Sequence, residues 1–406
     1  MNDTSDVNRA TMVQEADVLV IGGGLHGTSS AFHLARRGAK VIVLEADYVA
    51  RHSSGVNAGG VRTLGRPLPE IPLALMSREI WHDMPSLLGD GEDGGFVASG
   101  QLKIAETDAE LDACRERVAL LESHGFTHEK VIDRETVLEL EPALARHVTG
   151  GIWVARDGYA LPYRTTTAFR LAAQRLGANF LEGTPVRRIE QRGTRWFALT
   201  PCGTFSADKL LVTAGAWSGE LAKQVGEAVP VHPEGLMLMV THRVAPFCNA
   251  TLGATGRPLS FKQFDNGTVV IGGKLIGIAD LAGRHGEIDF ARLVRSARTV
   301  TDLFPHLRHL GVNRAWAGVE AFTEDELPVI SASRAASNLY YSFGYCGSGF
   351  QLGPGCGKLV SELMLDGAPS LSLDPFAIDR FGRASAASTL ASPLSSHAAA
   401  ASPVAH

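Results

Sequence analysis

The pattern of apolar and polar positions is clearest near the amino end. Asp17–Ile21, "DVLVI", is an apolar run of strand length that stops at glycines. From Gly27 onward Ala31, Leu34 and Ala35 recur with helical spacing, and Gly38 sits where a left-handed cap ends a helix. "KVIVLEA" is a second strand-like run, closing on Glu45 and Ala46. Two later stretches repeat this rhythm of short β-rich runs, glycines and helical patterns. One holds "LEGTPVRRIEQRG", "WFALT" and "ADKLLVTAGAWSGELA"; the other is "NLYYSFGYCGSGFQLGPGCGKLVSELMLDG". Between them lie strand-like runs such as "MLMVTHRV" and "GTVVIGG" and the polar helix "AELDACRERVALLESHG".

The pattern predicts an α/β layer together with an α+β part inserted twice. Residues 16–87, 151–225 and 318–381 form the first, and residues 88–150 and 226–317 form the second, an antiparallel-sheet domain. Residues 1–15 read as a disordered lead-in, and the Ala/Ser-rich segment 382–406 as a disordered tail without large apolar side chains.

The glycines of the opening unit are spaced for a dinucleotide. Gly22, Gly24 and Gly27 fit G-x-G-x-x-G: a tight turn, a close approach of pyrophosphate to backbone, and a helix seated against the sheet. Leu25 and His26 belong to the same turn, and Glu45 can accept both ribose hydroxyls. This is a Rossmann-type unit. Directly after it, "ARHSSGVNAGGVR" offers Ser53 and Ser54 to phosphate or ribityl oxygens, while Asn57, Gly59 and Gly60 let backbone pass a flat ring. At the far end Gly344, Gly347 and Gly349 allow a similar approach, with Phe350, Gln351 and Leu352 beside them. Pro354 fits the first turn of the helix "GCGKLVSELMLDG". The free N–H groups of that helix start would stabilise negative charge on a bound ring.

These stretches together resemble the FAD-dependent D-amino-acid oxidase-like family, which includes glycine oxidase, sarcosine oxidase, D-amino-acid dehydrogenase and opine oxidase subunits. "GTPVRRIE" resembles the strand whose valine, here Val186, brackets adenine. "ADKLLVTAGAWSGELA" resembles the family's turn, here Ala214, Gly215 and Trp217. The resemblance spans about residues 17–370 and implies a Rossmann-type FAD domain with an interleaved substrate domain. It implies FAD rather than NAD, because an extended FAD needs contacts from several distant glycine-rich segments.

The resemblance further implies oxidation of an amino or imino acid by hydride transfer from carbon to flavin, with oxygen or another electron acceptor regenerating the cofactor. "GVNAGGVRTLGRPLPEIPLAL", "DGYALPYRTT", "FKQFDNGTVVIGG" and "WAGVEAFTEDELPVI" are most similar to the opine oxidase and D-hydroxyproline dehydrogenase catalytic subunits. A cyclic imino acid such as D-hydroxyproline, or an opine, is the expected substrate. A glycine or sarcosine oxidase-like enzyme, a hydrogen cyanide synthase-like subunit and an electron-relay subunit are the alternatives, and partner subunits stay open.

Where glycine oxidase-like members carry a carboxylate-binding arginine, this chain has Glu320, and the segment has no cysteine for covalent flavin attachment. Glu320 is therefore expected to face the cavity and to contribute to substrate choice. A substrate carboxylate entering a partly dry site needs a cation. Lys262, on a strand of the substrate domain, is the first choice, Arg62 the second, and Tyr345 could add a hydroxyl donor.

Composition narrows the rest. The 406 residues, 45% hydrophobic and 20% charged with net charge −5, suit a globular protein of two domains. Basic residues are scattered, which argues against a nucleic-acid partner. The five cysteines lie far apart, so no metal site is expected and a reducing compartment is. The polar start lacks the apolar core of a signal peptide, and no run of 18 apolar residues occurs. A cytoplasmic location is expected, with peripheral association at a membrane surface left open.

Overall fold

The computed structural model describes residues 13–381. The expected tail and most of the expected lead-in lie outside these described residues. A first sheet has at its centre β1 (Gln14–Ile21), flanked by β2 (Val41–Leu44) and by β6 (Gly203–Val212). β5 (Asn179–Leu181) extends it on one side; β13 (Leu339–Phe343) and β12 (Val329–Ala332) extend it on the other. All these pairings are parallel except β12 with β13. Both faces of β1 are covered. Val18 and Val20 enter one core and Leu19 and Ile21 the other, which explains the unbroken apolar run. Helix α1 (Leu25–Arg36) follows β1 and packs on α3 (Pro162–Arg175) and α5 (Gly349–Asp366), while α2 (Ile71–His82) also packs on α5.

The second sheet has ten strands and is antiparallel apart from one pair. Its middle runs β11 (Val312–Thr323), β7 (Val231–Thr241), β10 (Val269–Gly272), β9 (Ser260–Gln263), β8 (Thr251–Ala254), β3 (Gln101–Ala105) and β4 (Gly150–Val154). Helix α4 (Phe290–Leu303) covers one face with Leu293, Val300 and Leu303, the buried stripe of an amphipathic helix.

Three expected boundaries move. Gln14 and Glu15 belong to β1, not to the lead-in, because backbone pairing with Phe205 and Ser206 needs no apolar side chains. β4 spans the expected boundary at 150/151 and lies wholly in the second sheet. Residues 318–323 also lie there, because β11 pairs with β7 along its whole length. Helix α5 starts at Gly349, so Pro354 falls inside it and not in its first turn. Among the described residues no helix is long and apolar enough to cross a membrane.

Candidate active site

Two cavities of about 450 and 540 Å³ lie between the sheets, and both are lined by Gly24, Ser53, Ser54, Thr213 and Gly215. They form one elongated trench. At one end stands Glu45, whose carboxylate accepts from the N–H groups of Gly23 (2.6 Å) and Asp47 (2.8 Å). Burial raises its pKa, against the pull of those two donors. Ala46, Val186, Ala214 and Trp217 line the same end.

The middle is the start of α1. A Cβ on Gly22 would lie 2.5 Å from the Thr213 carbonyl oxygen, and one on Gly27 only 2.0 Å from that of Gly22. A Cβ on Gly24 would meet Ser54 Oγ at 2.8 Å, the atom that accepts from Leu25 N–H at 2.9 Å. The other end is walled by His26, Gly59, Gly60, Gly344, Gly347, Gly349 and Phe350. There α5 begins, and its first-turn N–H groups lack acceptors one turn back. An acid at one end, a glycine-lined helix start in the middle and a second helix start at the far end suit a long dinucleotide with a flat ring.

Residues 17–363 match the family profile described as DAO, FAD dependent oxidoreductase. The chain belongs to this family of FAD-dependent oxidoreductases. It is 28% identical to glycine oxidase of Geobacillus kaustophilus over 384 residues, 91% of this chain and 98% of that one. It is also 28% identical to an opine oxidase subunit of Rhizobium meliloti over 386 residues, 90% of this chain and 98% of the relative. The crystal structure of the Geobacillus kaustophilus glycine oxidase superposes with a TM-score of 0.84 at 25% identity, covering 91% of this chain and 99% of that one. The cofactor is FAD, and the trench has the donor set and the glycine clearances to hold it.

Some of the expected FAD contacts take other roles in the fold. Gln351 and Leu352 are buried away from the trench. The Gln351 amide donates to the Ala74 carbonyl at 2.8 Å, because two residues of helix turn it from the face of Gly349, and Leu352 is in the core. Asn57 shapes its own loop, donating to the Ser53 carbonyl (2.8 Å) and accepting from Gly59 N–H (2.7 Å). His26 stacks on Tyr345 with centroids 3.6 Å apart; burial lowers its pKa to about 3 and keeps the ring neutral.

Among the candidate substrate residues, Glu320 and Arg62 lie on the wall. Glu320 Oε1 accepts from Gly347 N–H at 2.7 Å, and burial raises its pKa while that bond, Lys274 and Arg66 oppose the rise. Arg62 donates to the Leu64 carbonyl at 2.8 Å; burial lowers its pKa, and the carboxylates of Asp157, Glu70 and Glu129 oppose that fall. Tyr345 borders the cavity, but its hydroxyl is buried against Ser342 Oγ at 2.7 Å. Lys262 is off the wall. Its ammonium donates to the Ala58 carbonyl beneath the ring-binding loop and lies 4.9 Å from the Tyr159 and Phe264 ring centres.

A buried unit escaped the sequence reading. Arg66, 3% exposed, stands 3.7 Å from Glu70, which accepts from Ser348 Oγ at 3.0 Å. Burial lowers the Arg66 pKa to about 9. The signal was present as an Arg–Glu pair four residues apart, but its cue is that of any exposed helical pair.

Burial also lowers the Lys262 pKa from 10.5 to about 7. Between these two values the unfolded chain binds a proton that the folded chain has released, so this group makes stability rise with pH across that window. The slope is at most about 1.4 kcal/mol per pH unit, and below the folded value the penalty is constant. Lys262→Met removes this dependence. Its stability advantage over the parent should shrink between about pH 7 and about pH 9 in urea melts at fixed FAD. A difference that stays constant would show that the folded lysine keeps its charge.

Proposed function

We propose that this oxidoreductase acts on the C–N bond of an amino or imino acid, with a secondary amine such as D-hydroxyproline as first candidate and an opine as the extended alternative. The observation that carries the reading is a cation and a half-buried carboxylate, Arg62 and Glu320, on one wall beside the glycine-lined ring site. Arg62 holds the substrate carboxylate. Glu320, anchored by Gly347 N–H, keeps its second oxygen for the substrate's amine or ring hydroxyl. Bound FAD supplies the acceptor for two electrons. The chain orients the carbon beside nitrogen and keeps water from it. The substrate class is supported by the glycine oxidase and opine oxidase relatives; the choice of D-hydroxyproline rests on sequence resemblance. The second relative is one subunit of an oxidase, which favours partner subunits here too.

Anaerobic mixing with a panel of amino acids, cyclic imino acids and opines tests this. Bleaching of the flavin by a secondary amino acid is the expected result, and no bleaching by any member of the panel would remove the reading. Glu320→Gln should shift preference among substrates by roughly tenfold or more, the scale of a hydrogen bond to a charged group, while FAD content holds. Parallel loss of both would make Glu320 a structural residue of the closing loop.

A further inference from the structure

We propose that Asp157, a buried residue that does not itself line the cavity, is a positioning residue for substrate binding: it fixes the backbone on which Arg62 stands and so sets where the guanidinium meets a carboxylate. The inference deepens the reading of Arg62 as the substrate's anchor and rests on it.

Arg62 follows a short strand, Gly60–Val61, that pairs antiparallel with Gly158–Tyr159. Val61 is in the core, so the next side chain along the extended backbone leaves on the opposite face, toward the cavity. Beyond Arg62 the backbone pairing stops and the Asp157 carboxylate takes over. Its Oδ2 accepts from the N–H groups of Thr63 at 2.7 Å and Leu64 at 2.9 Å, and its Oδ1 accepts from the Thr63 hydroxyl at 2.8 Å. Ala160 N–H adds a bond to the Gly59 carbonyl at 2.8 Å. Residues 157–160 therefore grip the chain on both sides of Arg62. The grip is itself fixed, because the Asp157 carbonyl accepts from Gly100 N–H at 2.8 Å and a Cβ on Gly158 would lie 2.0 Å from the Val97 carbonyl oxygen.

One residue transmits this grip to the side chain. Leu64, whose N–H is held by Asp157, accepts from the Arg62 guanidinium through its carbonyl at 2.8 Å. The direction of the guanidinium thus follows the conformation of residues 63 and 64. Asp157 and Thr63 are both 0% exposed, and the three donors offset the cost of burying the carboxylate. The charge of Asp157 acts on a ligand in the opposite sense. It helps to keep Arg62 charged against burial, but a negative group behind the anchor weakens the attraction that a substrate anion feels. A positioning role and a purely electrostatic role therefore predict opposite changes when the side chain is removed.

The test uses the FAD-loaded enzyme with two aromatic probes that have no hydride to give, pyrrole-2-carboxylate and its uncharged isostere pyrrole-2-carboxamide. Dissociation constants come from the perturbation of the flavin spectrum, and their ratio reads the anion contact. The parent should favour the carboxylate by about 30-fold or more, and Arg62→Met should bring the ratio near unity. Asp157→Ala leaves the Thr63 and Leu64 N–H groups unpaired; it should remove about tenfold of the preference while FAD content holds, and it should have no further effect in the Arg62→Met background. Asp157→Asn can restore all three bonds, with its oxygen on the two N–H groups and its NH2 on the Thr63 hydroxyl, so its ratio should stay within about threefold of the parent's. Thr63→Val removes one bond at constant shape, should lower the ratio by roughly two- to threefold, and decides the matter if Asp157→Ala does not fold. Glu141→Gln controls for lost stability. That carboxylate is also 0% exposed and accepts from the N–H groups of Asn249 and Ala250 away from the cavity, so its variant should melt earlier with the ratio intact. Tighter carboxylate binding in both Asp157 variants, an equal loss in both, a ratio unchanged in the folded variants, or a loss that persists without Arg62 would overturn the positioning role. No preference for the carboxylate in the parent, or one that Arg62→Met leaves intact, would remove the anchor reading itself, and Asp157 would then have nothing to position.

Discussion

Gly27→Val should yield folded protein without FAD. A Cβ at this position would lie 2.0 Å from the Gly22 carbonyl oxygen and 2.8 Å from Thr213 Oγ1, and neither belongs to a flexible chain end that can swing away. Helix α1 would have to move off the sheet, taking with it the Leu25 N–H that bonds Ser54 and the N–H groups that would face the pyrophosphate. Overpacking of this kind costs about 1–3 kcal/mol or more, and binding loses its anion contacts as well. Gly38→Ala is the control. Gly38 has a positive φ, +87°, which Gly27 does not, but nothing lies within 4 Å of its added Cβ. It should cost about 1–2 kcal/mol of backbone strain and keep its FAD. Visible absorbance per folded chain, with circular dichroism as the check on folding, decides the matter; stoichiometric FAD in Gly27→Val would show that α1 does not grip the pyrophosphate.

Arg62→Met should raise the dissociation constant of a carboxylate substrate by about 30- to 5000-fold, the equivalent of about 2–5 kcal/mol for breaking a buried charge pair. FAD content should hold, because the Arg62 hydrogen bond is to Leu64 of its own loop. Arg62→Lys should recover part of the affinity, since it restores charge but not the forked geometry. Lys262→Met should have the smaller effect on KM, because its ammonium is turned to the Ala58 carbonyl and two aromatic rings. The reverse ranking of the two variants would return the anchor to Lys262. Substrate titrations followed by flavin perturbation, with KM and kcat measured side by side, separate binding from orientation.

These two expectations differ in how early they were readable. The clash at Gly27 follows from a short motif: strand, turn and helix lie within one stretch, and each glycine answers a local demand of the backbone. The assignment of Arg62 over Lys262 does not. Both are basic residues in plausible segments, and only the packed structure shows one on the wall and the other beneath the loop.

The α/β and α+β organisation and the glycine turn were legible because they depend on periodicity and backbone geometry over short spans of chain; the FAD family was legible from the resemblance of several such stretches to known members. Strand edges at Gln14 and at residues 318–323 were not, because backbone hydrogen bonding extends a strand past its apolar residues. The helix that starts at Gly349 shows the limit most plainly. Sequence placed Gly349, Phe350, Gln351 and Leu352 together at the ring, but in the folded chain the first two line the cavity while Gln351 and Leu352 are buried against other elements. Sequence by itself determined which local units form and what kind of cofactor they hold. Tertiary structure alone decided which charged and polar side chains meet in the cavity, because that depends on distant strands brought into register and on which buried charges already have partners.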